Sequence, residues 1–150
     1  MGKSTARKSG VTGSLVPGCS SAFHAVFAGA TAPQKRGWPP IARGESTLIL
    51  APTGSGKTLT AFLWSLNRLM FEPVPEPADR CRVLYISPLK ALAVDVERNL
   101  RAPLVGISNV AAAQGIDYHV PAIAVRTGDT PASERAKFQR TPADILITTP

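Results

Sequence analysis

The stretch Thr47-Leu48-Ile49-Leu50-Ala51-Pro52-Thr53-Gly54-Ser55-Gly56-Lys57-Thr58 decides how the chain is read. Its first four residues form an apolar run, which predicts a short buried strand over 47–50. The residues after it have helical period: Leu59, Phe62, Leu63, Leu66, Leu69 and Met70 share one face. Strand, tight polar loop ending in Gly-Lys-Thr, then helix is the layout of a phosphate-binding P-loop. Glycines allow backbone N–H groups to turn inward around phosphate oxygens, and the helix N-terminus adds partial positive charge. Lys57 can reach the β- and γ-phosphates, and the Thr58 hydroxyl can sit on Mg²⁺. The loop opens with Ala51 where the general pattern has Gly. A Gly/Ser surface turn is the bland reading, but a strand before and a helix after at this spacing argue against it. Nucleoside triphosphate binding is the expectation.

Working outward, 150 residues suffice for one domain with a proper core and not for two of ordinary size. Hydrophobic residues at 44% and charged ones at 18% describe a globular chain. A formal net charge of +7 favours a polyanionic partner, although basic composition alone is a weak signal. No segment approaches the length of a membrane span, so no membrane partner is expected. Cys19 and Cys81 lie far apart with no metal-ligand spacing around them, and read as free thiols of a reducing cytoplasm. His24 and His119 have no partners in sequence, and surface or loop positions are expected for both.

Residues 1–21 carry Lys3, Arg7 and Lys8 among Ser and Gly, with little to bury; a flexible basic tail is expected. Ala6 stands where a myristoylation signal needs Ser or Thr, and no apolar core of a secretory signal is present. Thr31-Ala32-Pro33-Gln34 fits a capping box, which by itself accounts for Gln34. The helix it opens ends at Gly44 and should be short or kinked, because Pro39 and Pro40 remove donors from it. Glu72-Pro73-Val74-Pro75-Glu76-Pro77 is a stiff connection. Val83–Ile86 reads as a second buried strand, followed by a helix with Ser87 as cap and Pro88 at its first position. Leu89, Leu92, Ala93, Val96 and Leu100 would form its apolar stripe, with Glu97 and Arg101 paired on the surface. Pro103 should interrupt it, with a separate short helix running to Gly115. A third strand is expected over 122–126, a short helix after Thr130-Pro131, and a fourth strand over Ile145–Thr148.

Strands alternating with helices predict an α/β fold with a parallel sheet and helices on both faces. Ligands in such folds collect at the carboxyl ends of the strands. The P-loop, Ser87–Lys90, Thr127–Asp129 and Thr148–Pro150 all fall there.

These motifs resemble a known family. Ala51–Thr58 looks like motif I of the superfamily-2 helicases, in which Ala commonly takes the first position. The run Tyr85–Leu100, with Arg126-Thr127-Gly128-Asp129-Thr130 and Asp144–Pro150, is similar to the large helicase-related (Lhr) proteins, DNA-repair helicases of bacteria and archaea. The resemblance covers about residue 22 to the end. It implies the first part of a RecA-like P-loop domain that binds ATP with Mg²⁺. Gln34 would read adenine; Thr53, Gly54, Ser55, Gly56, Lys57 and Thr58 would hold the phosphates, with Lys57 and Thr58 catalytic and Thr58 on the metal. Pro88, Leu89 and Lys90 would contact the nucleic-acid backbone, as would Thr127 and Gly128 and the pair Thr149-Pro150. Single-stranded DNA or RNA, or a duplex, would be the partner, together with a second RecA-like domain. The family's Asp-Glu box is not found in the 150 residues. Residues 22–150 therefore read as an ATP-binding unit truncated before that box, its last strands missing and inactive by itself. The rival readings are another P-loop enzyme, such as a small kinase, and a non-catalytic nucleic-acid-binding module.

Overall fold

A computed structural model of the chain describes residues 29–150. The expected tail over 1–21, the start of the ATP-binding unit at 22, Cys19 and His24 lie outside the described residues. Helix α1, Ala32–Ala42, opens as its capping box requires: the Gln34 side-chain oxygen accepts the Thr31 N–H at 2.9 Å. It runs unbroken through Pro39 and Pro40. The carbonyls those prolines cannot reach belong to Lys35 and Arg36, which lie on the exposed side where water can serve them. Gly44, at φ 74°, ends it.

Helix α2, Lys57–Phe71, buries Phe62, Leu63, Leu66, Leu69 and Met70, the face its periodicity predicts. Each such side chain contributes roughly 1.5–3 kcal/mol on burial. It packs tightly on α1: a Cβ added at Gly37 would lie 2.7 Å from Thr60 Cγ2. After a single 3-10 turn at Pro77–Asp79 come strand β1, Val83–Ile86, and helix α3, Lys90–Ala113.

Two expectations fail in α3. Ser87 does not cap it; the Ser87 hydroxyl donates to Leu89 O at 3.0 Å, its N–H is held by Thr148 O, and the helix begins two residues beyond Pro88. Pro103 does not break it either. Ala93, Val96, Leu100, Leu104, Ile107 and Ala111 form one buried stripe across the proline. The single carbonyl that Pro103 leaves without a helical donor belongs to exposed Asn99. Continuous burial on one side and a wet carbonyl on the other favour a single helix. Leu89 and Leu92, expected in the stripe, are exposed, since the helix starts after one and turns the other outward.

Strand β2, Ile123–Arg126, helix α4, Ala132–Arg140, and strand β3, Ile145–Thr148, complete the fold. The sheet is parallel, in the order β1-β3-β2, with Val83 and Ile123 both level with Ile145. Helix α3 packs on β2 and β3, and Phe62 of α2 meets Tyr85 of β1 with ring centroids 5.4 Å apart. Val83, Tyr85, Ile123, Val125, Ile145 and Ile147 face this core, while Leu84 and Ile86 on the alternate face are about 60% exposed.

The run at 47–50 corrects the sequence reading most sharply. It forms no strand: among the described residues nothing pairs with its backbone, and Leu48 and Leu50 are 83% and 86% exposed. Thr47 and Ile49 are half-buried, Ile49 against α1 beside Gly37. The segment keeps a strand's alternation but lacks lateral neighbours, and β-hydrogen bonds cannot be made within one strand.

Candidate nucleotide and nucleic-acid site

The loop Ala51–Gly56 owes its shape to two glycines. Gly54 and Gly56 have φ of 79° and 86°, a conformation that side-chain-bearing residues rarely adopt. Gly56 stands at the N-cap of α2, and among the described residues no side chain caps that helix N-terminus. Uncapped N–H groups on a 15-residue helix, with left-handed glycines before them, form a concavity suited to an anion. The Lys57 ammonium donates to Ala51 O at 2.5 Å and Pro52 O at 2.7 Å, folding back over the loop. Thr53, Gly54 and Thr58 are exposed, and Ser55 and Gly56 half-buried. The residues present therefore fit a nucleoside polyphosphate: a backbone cradle, a cation beside it and an exposed hydroxyl one residue on.

A brace from α1 holds this loop, and the sequence reading missed half of it. The Thr31 hydroxyl donates to Ser55 O at 2.9 Å. A side chain at Gly56 would lie 2.7 Å from Gln34 Nε2. Gln34 is 3% exposed and wedged between its own helix cap and the P-loop. The capping role read for it is present; its oxygen is engaged by Thr31, its nitrogen lies beside the loop. Thr31's second role had no local signal, since its partner is 24 residues away.

The strand-end segments converge. One cavity of about 350 Å³ is lined by Pro88, Leu89 and Lys90 after β1, Thr127, Gly128 and Asp129 after β2, and Thr149 and Pro150 after β3. All seven residues expected to face a nucleic-acid backbone are there, with Asp129 added. Lys90 and Asp129 form an ion pair across it. That contact holds the Asp129 carboxyl below the usual carboxylate range. The P-loop is not part of this lining. The turn at Thr127–Thr130 is held from behind: Thr130 Oγ1 accepts the Thr127 N–H at 2.8 Å, and Arg135 of α4 donates to Thr130 O at 2.9 Å and Gly128 O at 2.7 Å.

At the opposite ends of the strands, Asp144 is fully buried. Its carboxylate accepts the Ala122 N–H at 2.7 Å and lies 3.3 Å from Arg80 Nε and 3.1 Å from His119 Nε2. Burial pushes this carboxyl up, but the Ala122 N–H, His119 and Arg80 together outweigh it and hold it below its usual range. His119 sits in a loop, as expected, with its ring partly buried against Asp144. Cys81 is a free, exposed thiol. Among the described residues no group of acids, His and Cys could hold a metal, and no helix is long and apolar enough to cross a membrane.

A parallel α/β sheet with a glycine-shaped phosphate loop defines a P-loop nucleotide-binding domain. Residues 31–150 match the DEAD/DEAH box helicase family, and the chain belongs to it. It is 52% identical over 128 residues to the Lhr helicase/probable uracil glycosylase of Mycolicibacterium smegmatis, covering 85% of this chain and 8% of that protein. It is 48% identical over 133 residues to the Lhr helicase/uracil glycosylase of Escherichia coli K12, covering 85% of this chain and 9% of that one. The solved structure of the Mycobacterium smegmatis helicase Lhr bound to single-stranded DNA and AMP-PNP superposes with a TM-score of 0.84 at 46% identity, over 93% of this chain and 17% of that one. The fold is accordingly that of a RecA-like helicase domain. The chain spans less than a tenth of the length of these two curated relatives.

Proposed function

We propose that this chain supplies the ATP site and part of the nucleic-acid grip of an Lhr-type, ATP-dependent helicase or translocase of the DNA-repair kind, working in the cytoplasm. One observation carries the reading: three strand ends, far apart in sequence, converge on one cavity lined by Lys90, Thr127, Gly128 and Thr149. Phosphate contacts from strand-end loops give grip without sequence preference, which a motor moving along a strand needs. Single-stranded DNA is the first candidate, because the Lhr relative described above was solved with it.

In this reading the N–H groups around Gly54, Ser55 and Gly56 hold the nucleotide's phosphates. Lys57 exchanges the carbonyls of Ala51 and Pro52 for phosphate oxygens, which neutralises charge where it gathers. The Thr58 hydroxyl is a ligand for Mg²⁺, and Gln34 faces the adenine end. Bound Mg·ATP supplies the phosphoryl group whose transfer drives movement. Hydrolysis also needs a side chain that positions the attacking water. Asp144 is not that group, since Arg80, His119 and the Ala122 N–H occupy it. The second RecA-like domain of the helicase is the further partner in this reading.

The test is a thermal-shift titration with Mg·ATP on wild type and Lys57→Ala. At nucleotide a hundredfold above its dissociation constant, wild type should gain roughly 2.7 kcal/mol and the variant essentially none. An equal shift in both would sink the P-loop reading. A chain that binds DNA and ignores nucleotide would be a plain binding module.

A further inference from the structure

We propose that Asp129 is a displaceable counter-ion, which occupies Lys90 until a nucleic-acid phosphate takes its place. The inference rests on the nucleic-acid reading of the cavity and adds to it a residue which that reading leaves unexplained. A cavity built only to hold phosphate has no use for a carboxylate on its wall. Asp129 nevertheless stands in the lining, and its carboxylate bonds the ammonium of Lys90. Lys90 is 59% and Asp129 74% exposed, so an incoming phosphodiester can reach both.

The alternative is that the pair braces the turn. The geometry argues against it, because the turn already has its own supports. Thr130 N–H donates to Thr127 O at 3.1 Å, Thr130 Oγ1 accepts from Thr127, and Arg135 secures the Gly128 and Thr130 carbonyls. Asp129 can therefore leave Lys90 without loosening the backbone that carries it. An exposed ion pair is also weak enough to be exchanged, because water and salt screen it. A charge-neutral resting cavity would let each phosphate be gripped and then released as the carboxylate returns, the balance that a stepping motor requires.

A double-mutant cycle on the intact protein tests this, with a fluorescein-labelled oligodeoxythymidylate as probe. Its four members are wild type, Lys90→Met, Asp129→Asn and the double variant. If binding breaks the pair, Lys90→Met should weaken affinity more in the Asp129→Asn background than in wild type, by about two- to fivefold. Asp129→Asn alone should bind tighter, with a salt dependence steeper by about one released counter-ion. Equal cost of Lys90→Met in both backgrounds would overturn the proposal, since Asp129 would then act by charge alone. So would a larger cost in wild type, the mark of a brace that persists in the complex. Failure of wild type to bind the oligonucleotide at all would instead remove the functional reading, and this inference with it.

Discussion

At the scale of single residues, two hydrogen-sized spaces govern the P-loop end. Gly37 lets α1 settle onto α2, and Gly56 lets Gln34 settle against the P-loop. A methyl group at Gly37 would meet Thr60 Cγ2 at 2.7 Å, inside any real contact distance. Gly37→Ala should therefore cost about 1–3 kcal/mol in chemical denaturation. Thr60→Ser removes that methyl and keeps a hydroxyl able to bond Gly56 O, as Thr60 does at 2.9 Å. The pair Gly37→Ala/Thr60→Ser should recover most of the loss. If the double variant is no more stable than Gly37→Ala, close helix approach is not the reason for the glycine. None of this was legible in the sequence, because Gly37 carries no local turn signal and its neighbour lies on another helix.

At the scale of elements, the stripe of α3 outweighs Pro103. A proline inside a helix costs up to about 3 kcal/mol through a lost bond and a clash with the preceding turn. Here the buried positions on either side of it keep one register, from Ala93 to Ala111. Pro103→Ala restores a donor for the Asn99 carbonyl and relieves the clash. Stability should rise by about 1–2 kcal/mol, less than the full penalty because proline also stiffens the unfolded chain. A lower urea midpoint for the variant would mean that packing of the ring matters more than the missing bond. In the sequence Pro103 looks like a boundary, because the local rule is visible there and the burial on both sides is not. Conversely, the apolar runs of β1 and β3 do form strands, although one face of β1 stays exposed, because each has a parallel neighbour for its backbone, which the apolar run at 47–50 lacks among the described residues.

For the whole molecule, Asp144 ties the strand beginnings together. Its backbone carbonyl takes the N–H groups of Arg82 and Val83, its own N–H reaches Ala122 O, and its carboxylate joins Arg80 and His119. The native carboxyl titrates below its ordinary range. Its contribution to stability is thus complete above the unfolded value of about 3.9 and is lost as pH falls through the native one. Acid unfolding of wild type should steepen below about pH 4, and Asp144→Asn should flatten that limb. The same variant should lose about 2–3 kcal/mol at neutral pH, short of the 3–5 typical of a fully buried pair because Arg80 is partly solvated. An unchanged acid limb in the variant would move the titrating group elsewhere.

The sequence alone determined the glycine-shaped loop before α2, the buried face of that helix, the three strands of the sheet and the family they belong to. Those features are written in short-range patterns: glycine where the backbone must turn left-handed, and apolar residues at the period of the element they build. Only the tertiary structure decided what crosses the chain. Thr31 reaches Ser55, Lys90 reaches Asp129, and Asp144 gathers Arg80 and His119 from 64 and 25 positions away. It also decided that 47–50 stays extended with no strand beside it among the described residues, since a strand's hydrogen bonds are made to neighbours that its own residues do not specify.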